Sequence, residues 1–264
     1  MTEALETRAL DGTLLFARMG GPAEGPPVVL LHSIGCDGAM WDAQVEALRA
    51  TRRVVCPDAR GHGRSGAPSG DYGLEQLGRD LIALLDALDI ARADICGLSL
   101  GGLTAQWLAV HAPDRVRRLV LANTAPRIGT AEAWQARADL VRAEGLAAIA
   151  ELALGRFFSD DFRGRQPAAA DAARRTLLAT SPEGYAGCCA ALRDADLTAD
   201  LRRITAPALV IAGARDVSTP PAGMRAMADA LQHADYEELD AAHLSNLERP
   251  AEFAAALMRH LEAD

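Results

Sequence analysis

Short apolar runs alternate with segments of helical period in the first half of the chain. The runs cover residues 28–31, 54–56 and 94–96, and the helical segments cover residues 41–49, 74–88 and 100–111. Strands that alternate with helices form parallel sheets through right-handed crossover connections. The pattern therefore predicts an α/β fold in which a mostly parallel, twisted sheet carries helices on both faces.

Further strands are predicted before and after this region. Residues 5–9 and 13–18 flank Asp11-Gly12, a dipeptide typical of tight hairpin turns, so the chain is expected to open with an antiparallel ribbon. Three more strands are predicted at residues 118–122, 208–212 and 236–239, and a helix at residues 250–261.

The segment between the sixth and seventh predicted strands differs from the rest. Residues 127–200 are rich in Ala, Leu and Arg, have helical periodicity, and lie between Pro126 and Pro207. Ligands of open α/β sheets bind beyond the carboxyl ends of the strands, so a helical insertion there would cover the binding crevice. We expect a core of residues 1–126 and 201–264, with residues 127–200 as a helical cap inserted after the sixth strand.

Composition narrows the classes of function. The 264 residues carry a net charge of −9 with acidic and basic side chains interspersed, which argues against binding to nucleic acid or to anionic lipid. Residues 1–10 have no apolar core, so neither a signal peptide nor a membrane span is predicted, and a cytoplasmic location is expected. The five cysteines lack metal-type spacing and are interpreted as free thiols, without a disulfide or a structural zinc ion.

A candidate nucleophile lies between a predicted strand and a predicted helix, in the pentapeptide Gly97-Leu98-Ser99-Leu100-Gly101. This is the context of a nucleophile elbow, in which a strained turn exposes the serine hydroxyl beside a helix N-terminus. The same string also occurs in ordinary Gly-rich turns, so the interpretation depends on whether a base and an acid follow.

Two later loops supply those partners in the order that the elbow requires. His243 follows the last predicted strand, and Asp216 follows the strand at residues 208–212. His243 would take the proton of Ser99, and Asp216 would fix the tautomer of His243. The rival base His62 precedes the serine within a turn and is interpreted as structural, and Asp216 by itself would pass for a helix cap.

The loop His32-Ser33-Ile34-Gly35 directly follows the strand at residues 28–31 and is the first that can face the serine. Hydrolases with this elbow take one oxyanion-hole donor from such a loop and the other from the residue after the nucleophile. The backbone N–H groups of Ile34 and Leu100 are therefore the candidate donors, and His32 is expected to brace the loop.

Together these stretches resemble the α/β-hydrolase fold and, within it, the 3-oxoadipate enol-lactonases of the β-ketoadipate pathway of aromatic catabolism. Stretches shared widely within the fold are residues 31–35, 58–65, 96–102 and 239–246, whereas residues 123–129 and 182–196 of the cap region carry the narrower resemblance. Leu100 stands where those relatives commonly have methionine, a change that conserves volume.

The resemblance implies hydrolysis of 3-oxoadipate enol-lactone to 3-oxoadipate through an acyl-enzyme on Ser99, with no metal or organic cofactor. A small anionic lactone is the expected partner, and the oligomeric state stays open. A capped carboxylesterase, a perhydrolase-like esterase or a carbon–carbon bond hydrolase would share the same three residues. A non-catalytic ligand receptor is the alternative from a different class, and an intact set of Ser99, Asp216 and His243 argues against it.

The carboxylate of such a lactone requires a cation within a largely apolar pocket. Arg127 is the first candidate because it follows the strand at residues 118–122, where the cap begins. The sequence does not determine which way Arg137, Arg142 and Arg193 face. Trp134 is the candidate for the pocket wall, although a role in packing alone would explain it equally well.

Overall fold

The computed structural model describes residues 3–263 and contains an eight-stranded sheet. In chain order its strands are β1 (Glu3–Arg8), β2 (Leu14–Gly20), β3 (Pro27–Leu31), β4 (Arg53–Asp58), β5 (Ala93–Leu98), β6 (Val116–Ala122), β7 (Ala208–Gly213) and β8 (Ala234–Leu239). Their spatial order is β1-β2-β4-β3-β5-β6-β7-β8; β2 runs antiparallel to both of its neighbours, and the pairings from β4 through β8 are parallel. The predicted strands and the mostly parallel sheet are confirmed, while residues 1, 2 and 264 of the expected core lie outside the described part.

Helices connect the strands, as the helical period predicts. They are α1 (Asp42–Leu48), α2 (Leu74–Ala87), α3 (Leu100–His111), α4 (Ala131–Glu144), α5 (Ala150–Phe157), α6 (Asp160–Arg165), α7 (Pro167–Ala179), α8 (Pro182–Asp194), α9 (Pro221–Ala230), α10 (Ser245–Glu248) and α11 (Pro250–Glu262). The helix predicted at residues 100–111 has the same bounds in the structure.

Successive strand residues face two different apolar layers. Val28 and Leu30 of β3 belong to the layer that contains Trp41 and Phe253, whereas Val29 of the same strand belongs to the layer formed with α2, α3 and α9. Side chains of a strand point alternately to the two faces, so a strand covered on both faces is apolar throughout. This arrangement explains the continuous apolar runs in the sequence, and it confirms helices on both faces of the sheet.

The segment between β6 and β7 is helical and returns to the point from which it departs. Helices α4 to α8 all lie within it, and the backbone N–H of Leu197 donates to the carbonyl oxygen of Pro126 at 2.9 Å. Core and insertion also meet where the N–H of Tyr72 donates to the carbonyl oxygen of Gly187 in α8 at 3.1 Å. The helical insertion after the sixth strand is thus fixed to the sheet domain at its base and along α8.

All five cysteines are buried and free. Among residues 3–263, no helix combines the length and the hydrophobicity that a membrane crossing requires. The same residues bring together no group of three or more His, Cys, Asp or Glu side chains suited to a metal ion.

Candidate active site

Ser99 lies between β5 and α3 in a strained backbone conformation, with φ 57° and ψ −116°. Residues other than glycine rarely adopt a positive φ, and such strain persists only where the surroundings impose it. The flanking glycines are part of those surroundings: a Cβ atom at Gly97 would lie 2.2 Å from the carbonyl oxygen of Gly101, and one at Gly101 would lie 2.3 Å from that of Leu31. The pentapeptide therefore forms a tight turn in which only glycine fits two positions before and two positions after the serine.

Asp216 and His243 lie in the loops that follow β7 and β8, and they are in direct contact. The distance between His243 Nδ1 and Asp216 Oδ2 is 2.8 Å, and both side chains are buried. Burial by itself would raise the pKa of Asp216, but the attraction and hydrogen bond of His243, with further bonds from Thr219 and Asn123, lower it to about 2. Asp216 is thus held as a carboxylate against the Nδ1 side of the imidazole.

The sequence did not identify Asn123, a residue that holds this pair in place. Its Nδ2 donates to Asp216 Oδ2 at 3.0 Å and to the carbonyl oxygen of Ala242 at 3.2 Å, while its Oδ1 accepts from the Ser245 hydroxyl at 2.5 Å. Asn123 follows β6 and has φ 42°, a conformation that asparagine tolerates better than most residues. The sequence does carry a signal that could have identified Asn123: it is an asparagine directly after a buried strand, at the same sheet edge as Asp216.

Ser99 and His243 line one cavity of about 400 Å³ between the sheet domain and the helical insertion. Volumes of roughly 300–1,000 Å³ are typical of small-molecule sites. Residues of the insertion on its wall include Trp134, Ala153 and Phe157. The serine, the histidine and a largely apolar wall therefore enclose one space.

The two backbone N–H groups predicted as oxyanion-hole donors, those of Ile34 and Leu100, lie in the loop after β3 and at the start of α3. Ile34 lines the cavity, and Leu100 is the first residue of α3, directly after Ser99. Among the described residues, neither N–H is bonded to another part of the chain. These N–H groups are free to bind an oxygen atom of a ligand.

Two histidines hold the loop that carries Ile34. His32 Nε2 accepts the N–H of Ala59 at 2.8 Å, and its Nδ1 lies 2.7 Å from the carbonyl oxygen of Ser33. His62 Nε2 accepts the N–H of Gly35 at 2.9 Å, and burial, reinforced by the neighbouring His32, lowers the pKa of His62 to about 3. His62 is therefore a neutral acceptor in the folded protein, in keeping with the structural role expected for it.

Arg127 lies outside the cavity, contrary to the expectation from the sequence. Its side chain is 53% exposed, and its Nη1 lies 3.6 Å from Asp196 Oδ2. The loop after β6 turns this side chain to the surface, toward an acid at the far end of the insertion. A cation for an anionic ligand must come from elsewhere.

Two other arginines line the cavity, Arg137 of α4 and Arg156 of α5. Arg142 and Arg193 of the insertion both pair with Asp71, but neither Arg137 nor Arg156 forms an ion pair within residues 3–263. Burial and the nearby charge of Arg137 lower the pKa of Arg156. Two cations therefore line the same cavity, and no anion within residues 3–263 pairs with either of them.

Trp134 lines the cavity, as proposed from the sequence. Its Nε1 donates to the carbonyl oxygen of Ile128 at 2.6 Å, and the guanidinium of Arg137 lies 4.7 Å from the centre of its ring. The hydrogen bond fixes the indole plane, and the cation–π contact fixes Arg137 against it. Trp134 thus has a packing role at the same time as it forms a wall.

Comparisons with known proteins extend over nearly the whole chain. The family model described as alpha/beta hydrolase fold matches residues 26–250. The 3-oxoadipate enol-lactonase 2 of Acinetobacter baylyi is 44% identical over 249 residues, covering 94% of this chain and 93% of the relative. The 3-oxoadipate enol-lactonase 1 of the same organism is 40% identical, with coverage of 92% and 91%.

This chain is also similar in three-dimensional structure to a solved enol-lactonase. The enol-lactonase from Burkholderia xenovorans LB400 has a TM-score of 0.96 and 43% identity, covering 98% of this chain and 100% of that one. The sheet and the helical insertion therefore share their arrangement with that structure.

Proposed function

The chain belongs to the alpha/beta hydrolase fold family, and from this premise we propose that it hydrolyses 3-oxoadipate enol-lactone to 3-oxoadipate with Ser99 as nucleophile. The observation that carries the proposal is the cavity itself. It joins Ser99 and His243 with two unpaired arginines, so a carbonyl group and a carboxylate of one small ligand can be bound together. The relatives at 44% and 40% identity bear the name of this activity.

The reaction begins with attack of the Ser99 hydroxyl on the lactone carbonyl. Asp216 occupies the Nδ1 side of His243 at 2.8 Å, so Nε2 is the nitrogen that accepts the serine proton. The carbonyl oxygen becomes an oxyanion, which the N–H groups of Ile34 and Leu100 stabilise. The carboxylate of Asp216 stabilises the imidazolium and remains ionised throughout.

Collapse of the tetrahedral intermediate breaks the bond between the acyl carbon and the ring oxygen. The ring oxygen leaves as an enol or enolate and takes a proton from the His243 imidazolium, and the enol then forms the more stable ketone. This step opens the ring and is hard to reverse. The acyl group stays attached to Ser99 as an ester until His243 deprotonates a water molecule that attacks its carbonyl carbon. The bond from this carbon to Ser99 Oγ then breaks, Ser99 takes the proton back from the imidazolium, and the second carboxyl group is released.

The carboxylate of the substrate binds Arg137 and Arg156. These two residues take the role that the sequence predicts for Arg127. Both line the cavity on helices of the insertion, and Trp134 holds Arg137 by its ring face. A charge-assisted hydrogen bond is stronger where water is excluded. In this proposal residues 127–200 act as a cap that supplies the substrate cations, while residues 1–126 and 201–264 form the core that supplies Ser99, Asp216 and His243.

The location of the reaction is proposed to be the cytoplasm. The five buried thiols are unpaired, which suits a reducing compartment. The balance of charge, −9 with mixed signs, is consistent with a small-molecule substrate rather than a nucleic acid.

The experiment compares turnover of enzymatically generated 3-oxoadipate enol-lactone with that of a short-chain p-nitrophenyl ester. We expect the wild type to prefer the lactone and Ser99→Ala to abolish both activities. Arg137→Ala should raise KM for the anionic lactone by about tenfold or more, the equivalent of one charge-assisted hydrogen bond, and should leave the neutral ester unaffected.

Arg127→Ala is the matched control, because it removes the same charge outside the cavity and should leave both rates unchanged. Hydrolysis of the ester without hydrolysis of the lactone would instead identify a capped carboxylesterase. Binding of the lactone with no turnover of either compound would favour the receptor.

A further inference from the structure

Ser33 carries a hydroxyl group that the reaction above does not use. The residue is 0% exposed and lines the same cavity as Ser99 and His243. Its Oγ is buried and has no hydrogen-bond partner among residues 3–263. The hydroxyl of Ser33 is therefore withdrawn from bulk solvent beside the reacting groups, with its bonding capacity unused.

Two other buried hydroxyls near His243, those of Thr219 and Ser245, do have hydrogen-bond partners. The Thr219 hydroxyl donates to Asp216 Oδ2 at 2.6 Å, and the Ser245 hydroxyl donates to Asn123 Oδ1 at 2.5 Å. Burying a hydroxyl without a partner destabilises a protein, and alanine would occupy the same position without that cost. An unpaired hydroxyl that lines a ligand cavity is best explained by a bond that forms with the ligand.

The loop that carries this hydroxyl is held by hydrogen bonds on both sides of Ile34, one of the proposed oxyanion-hole donors. The carbonyl oxygen of Ser33 accepts the N–H of Cys36 at 3.1 Å and lies 2.7 Å from His32 Nδ1. On the other side of Ile34, the N–H of Gly35 is tied to His62 Nε2 at 2.9 Å. Ser33 and Ile34 thus lie within one braced turn, and both of them line the cavity.

We propose that the Ser33 hydroxyl is a third donor of the oxyanion hole and hydrogen-bonds the carbonyl oxygen of the substrate as negative charge develops on it. The hydroxyl keeps its proton throughout, so no bond is formed or broken at Ser33. Its donation adds to those of the Ile34 and Leu100 N–H groups, and a preorganised donor in a dry site stabilises the transition state more than the ground state. The inference rests on the proposed hydrolase activity of this site, but it does not depend on which ester or lactone is the substrate.

The test is Ser33→Ala, which removes the hydroxyl and keeps the backbone N–H groups of the loop. We expect kcat/KM to fall by about 100-fold, as for loss of one oxyanion-hole donor, and to fall equally for the enol-lactone and the p-nitrophenyl ester. The inhibition constant of a trifluoromethyl ketone, which forms an oxyanion on Ser99, should rise by a similar factor. Affinity for 3-oxoadipate, which forms none, should not change.

Thermal unfolding separates this role from a structural one. Ser33→Ala should unfold at the same temperature as the wild type or higher, because it removes an unpaired buried polar group. The exposed Ser69→Ala serves as the control for the same chemical change far from the cavity. Unchanged ester hydrolysis in Ser33→Ala overturns the proposal.

Two further outcomes would also overturn the proposal. A loss seen with the lactone alone would place the hydroxyl on the leaving ring oxygen, since a p-nitrophenolate leaves without such assistance. A loss that accompanies a lower unfolding temperature would make Ser33 a structural residue. If the wild type hydrolyses the ester but not the lactone, the substrate assignment fails, yet the Ser33 comparison on the ester still decides this inference.

Discussion

The carboxylate of Asp216 accepts five hydrogen bonds, and each oxygen has its own set. Oδ2 accepts from His243, Thr219 and Asn123 side chains, and Oδ1 accepts from the backbone N–H groups of Ser218 and Thr219 at 2.8 and 3.1 Å. A carboxylate saturated in this way cannot rotate, and the imidazole bonded to it cannot rotate either. At the scale of the residue, the orientation of the proposed base therefore depends on neighbours such as Thr219 and Asn123, which do not line the cavity.

Thr219→Val tests this dependence with little change of shape. The substitution removes the hydroxyl that donates to Asp216 Oδ2 at 2.6 Å and places no new polar group in the buried site. We expect kcat to fall by about tenfold, the equivalent of one hydrogen bond to a charged group at ~1.5 kcal/mol, with KM little changed. Steady-state kinetics on the ester and the lactone measure this effect, and Thr51→Val at an exposed position is the control. A raised KM with unchanged kcat would contradict a positioning role.

At the scale of the element, the sequence predicts where the candidate catalytic residues of the sheet domain lie, because each of them follows a strand. Ser99 comes directly after β5, and Asp216 and His243 lie in the loops after β7 and β8; the carboxyl ends of these strands lie at one edge of a parallel sheet. Recognising the strands was therefore enough to bring these residues together. The pentapeptide around Ser99 added a steric requirement that can be read from the glycines alone.

For the helical insertion, the sequence predicts the helices but not which of their side chains line the cavity. The five helices pack on one another and on helices and loops of the sheet domain. Which helix face turns to the cavity depends on that packing rather than on local period. Arg127 precedes α4 and turns outward, while Arg137 and Arg156 turn inward from α4 and α5. The sequence supplied the candidates for the cation, and only the tertiary arrangement separates them.

A set of hydrogen bonds between the insertion and the loop that carries His243 also could not be predicted from the sequence. Glu248 of α10 accepts the N–H and the hydroxyl of Ser159 at 2.7 and 2.8 Å, and also the N–H of Ala242 at 3.2 Å. On the other side of His243, the N–H of Leu244 donates to the carbonyl oxygen of Phe157 at 2.9 Å. Both neighbours of His243 are thus linked to the junction between α5 and α6, next to the cavity-lining Arg156 and Phe157.

Glu248→Ala should uncouple this junction from the loop that carries His243. It leaves three donors without their acceptor, so we expect a free energy of unfolding lower by about 1–3 kcal/mol and a lower kcat. Glu248→Gln should restore most of both, because one amide oxygen can still accept the two N–H groups and the Ser159 hydroxyl can accept from the amide. Denaturant unfolding and steady-state kinetics measure the two effects.

The control for Glu248 is Glu252→Ala, since Glu252 lies on α11 with only a 3.7 Å ion pair to Arg249. A loss of stability in Glu248→Ala with unchanged kcat would show that these hydrogen bonds hold the insertion without affecting the base.

For the whole molecule, the buried histidine that braces the oxyanion loop sets a limit on acid stability. The pKa of His62 is lowered to about 3 from an ordinary value of 6.5, so between these values the unfolded chain binds a proton that the folded protein excludes. Stability must then fall as the pH falls through this window, because the unfolded state binds more protons. One such group contributes up to about 1.4 kcal/mol per pH unit.

His62→Gln removes this titration and keeps an oxygen atom that can accept the N–H of Gly35. We expect the variant to be less stable near neutral pH, because the amide fills the imidazole site imperfectly, and to show a shallower dependence of the free energy of unfolding on pH between 3 and 6.5. Burial also lowers the pKa of His260, and the pKa of Asp216 is lowered from 3.8 to about 2, so the variant keeps some slope at the upper and the lower end of this range. Urea unfolding across this range measures the slopes. Parallel curves for the two proteins would show that His62 is already protonated in the folded state, and a protonated Nε2 could not accept the Gly35 N–H that braces the oxyanion loop.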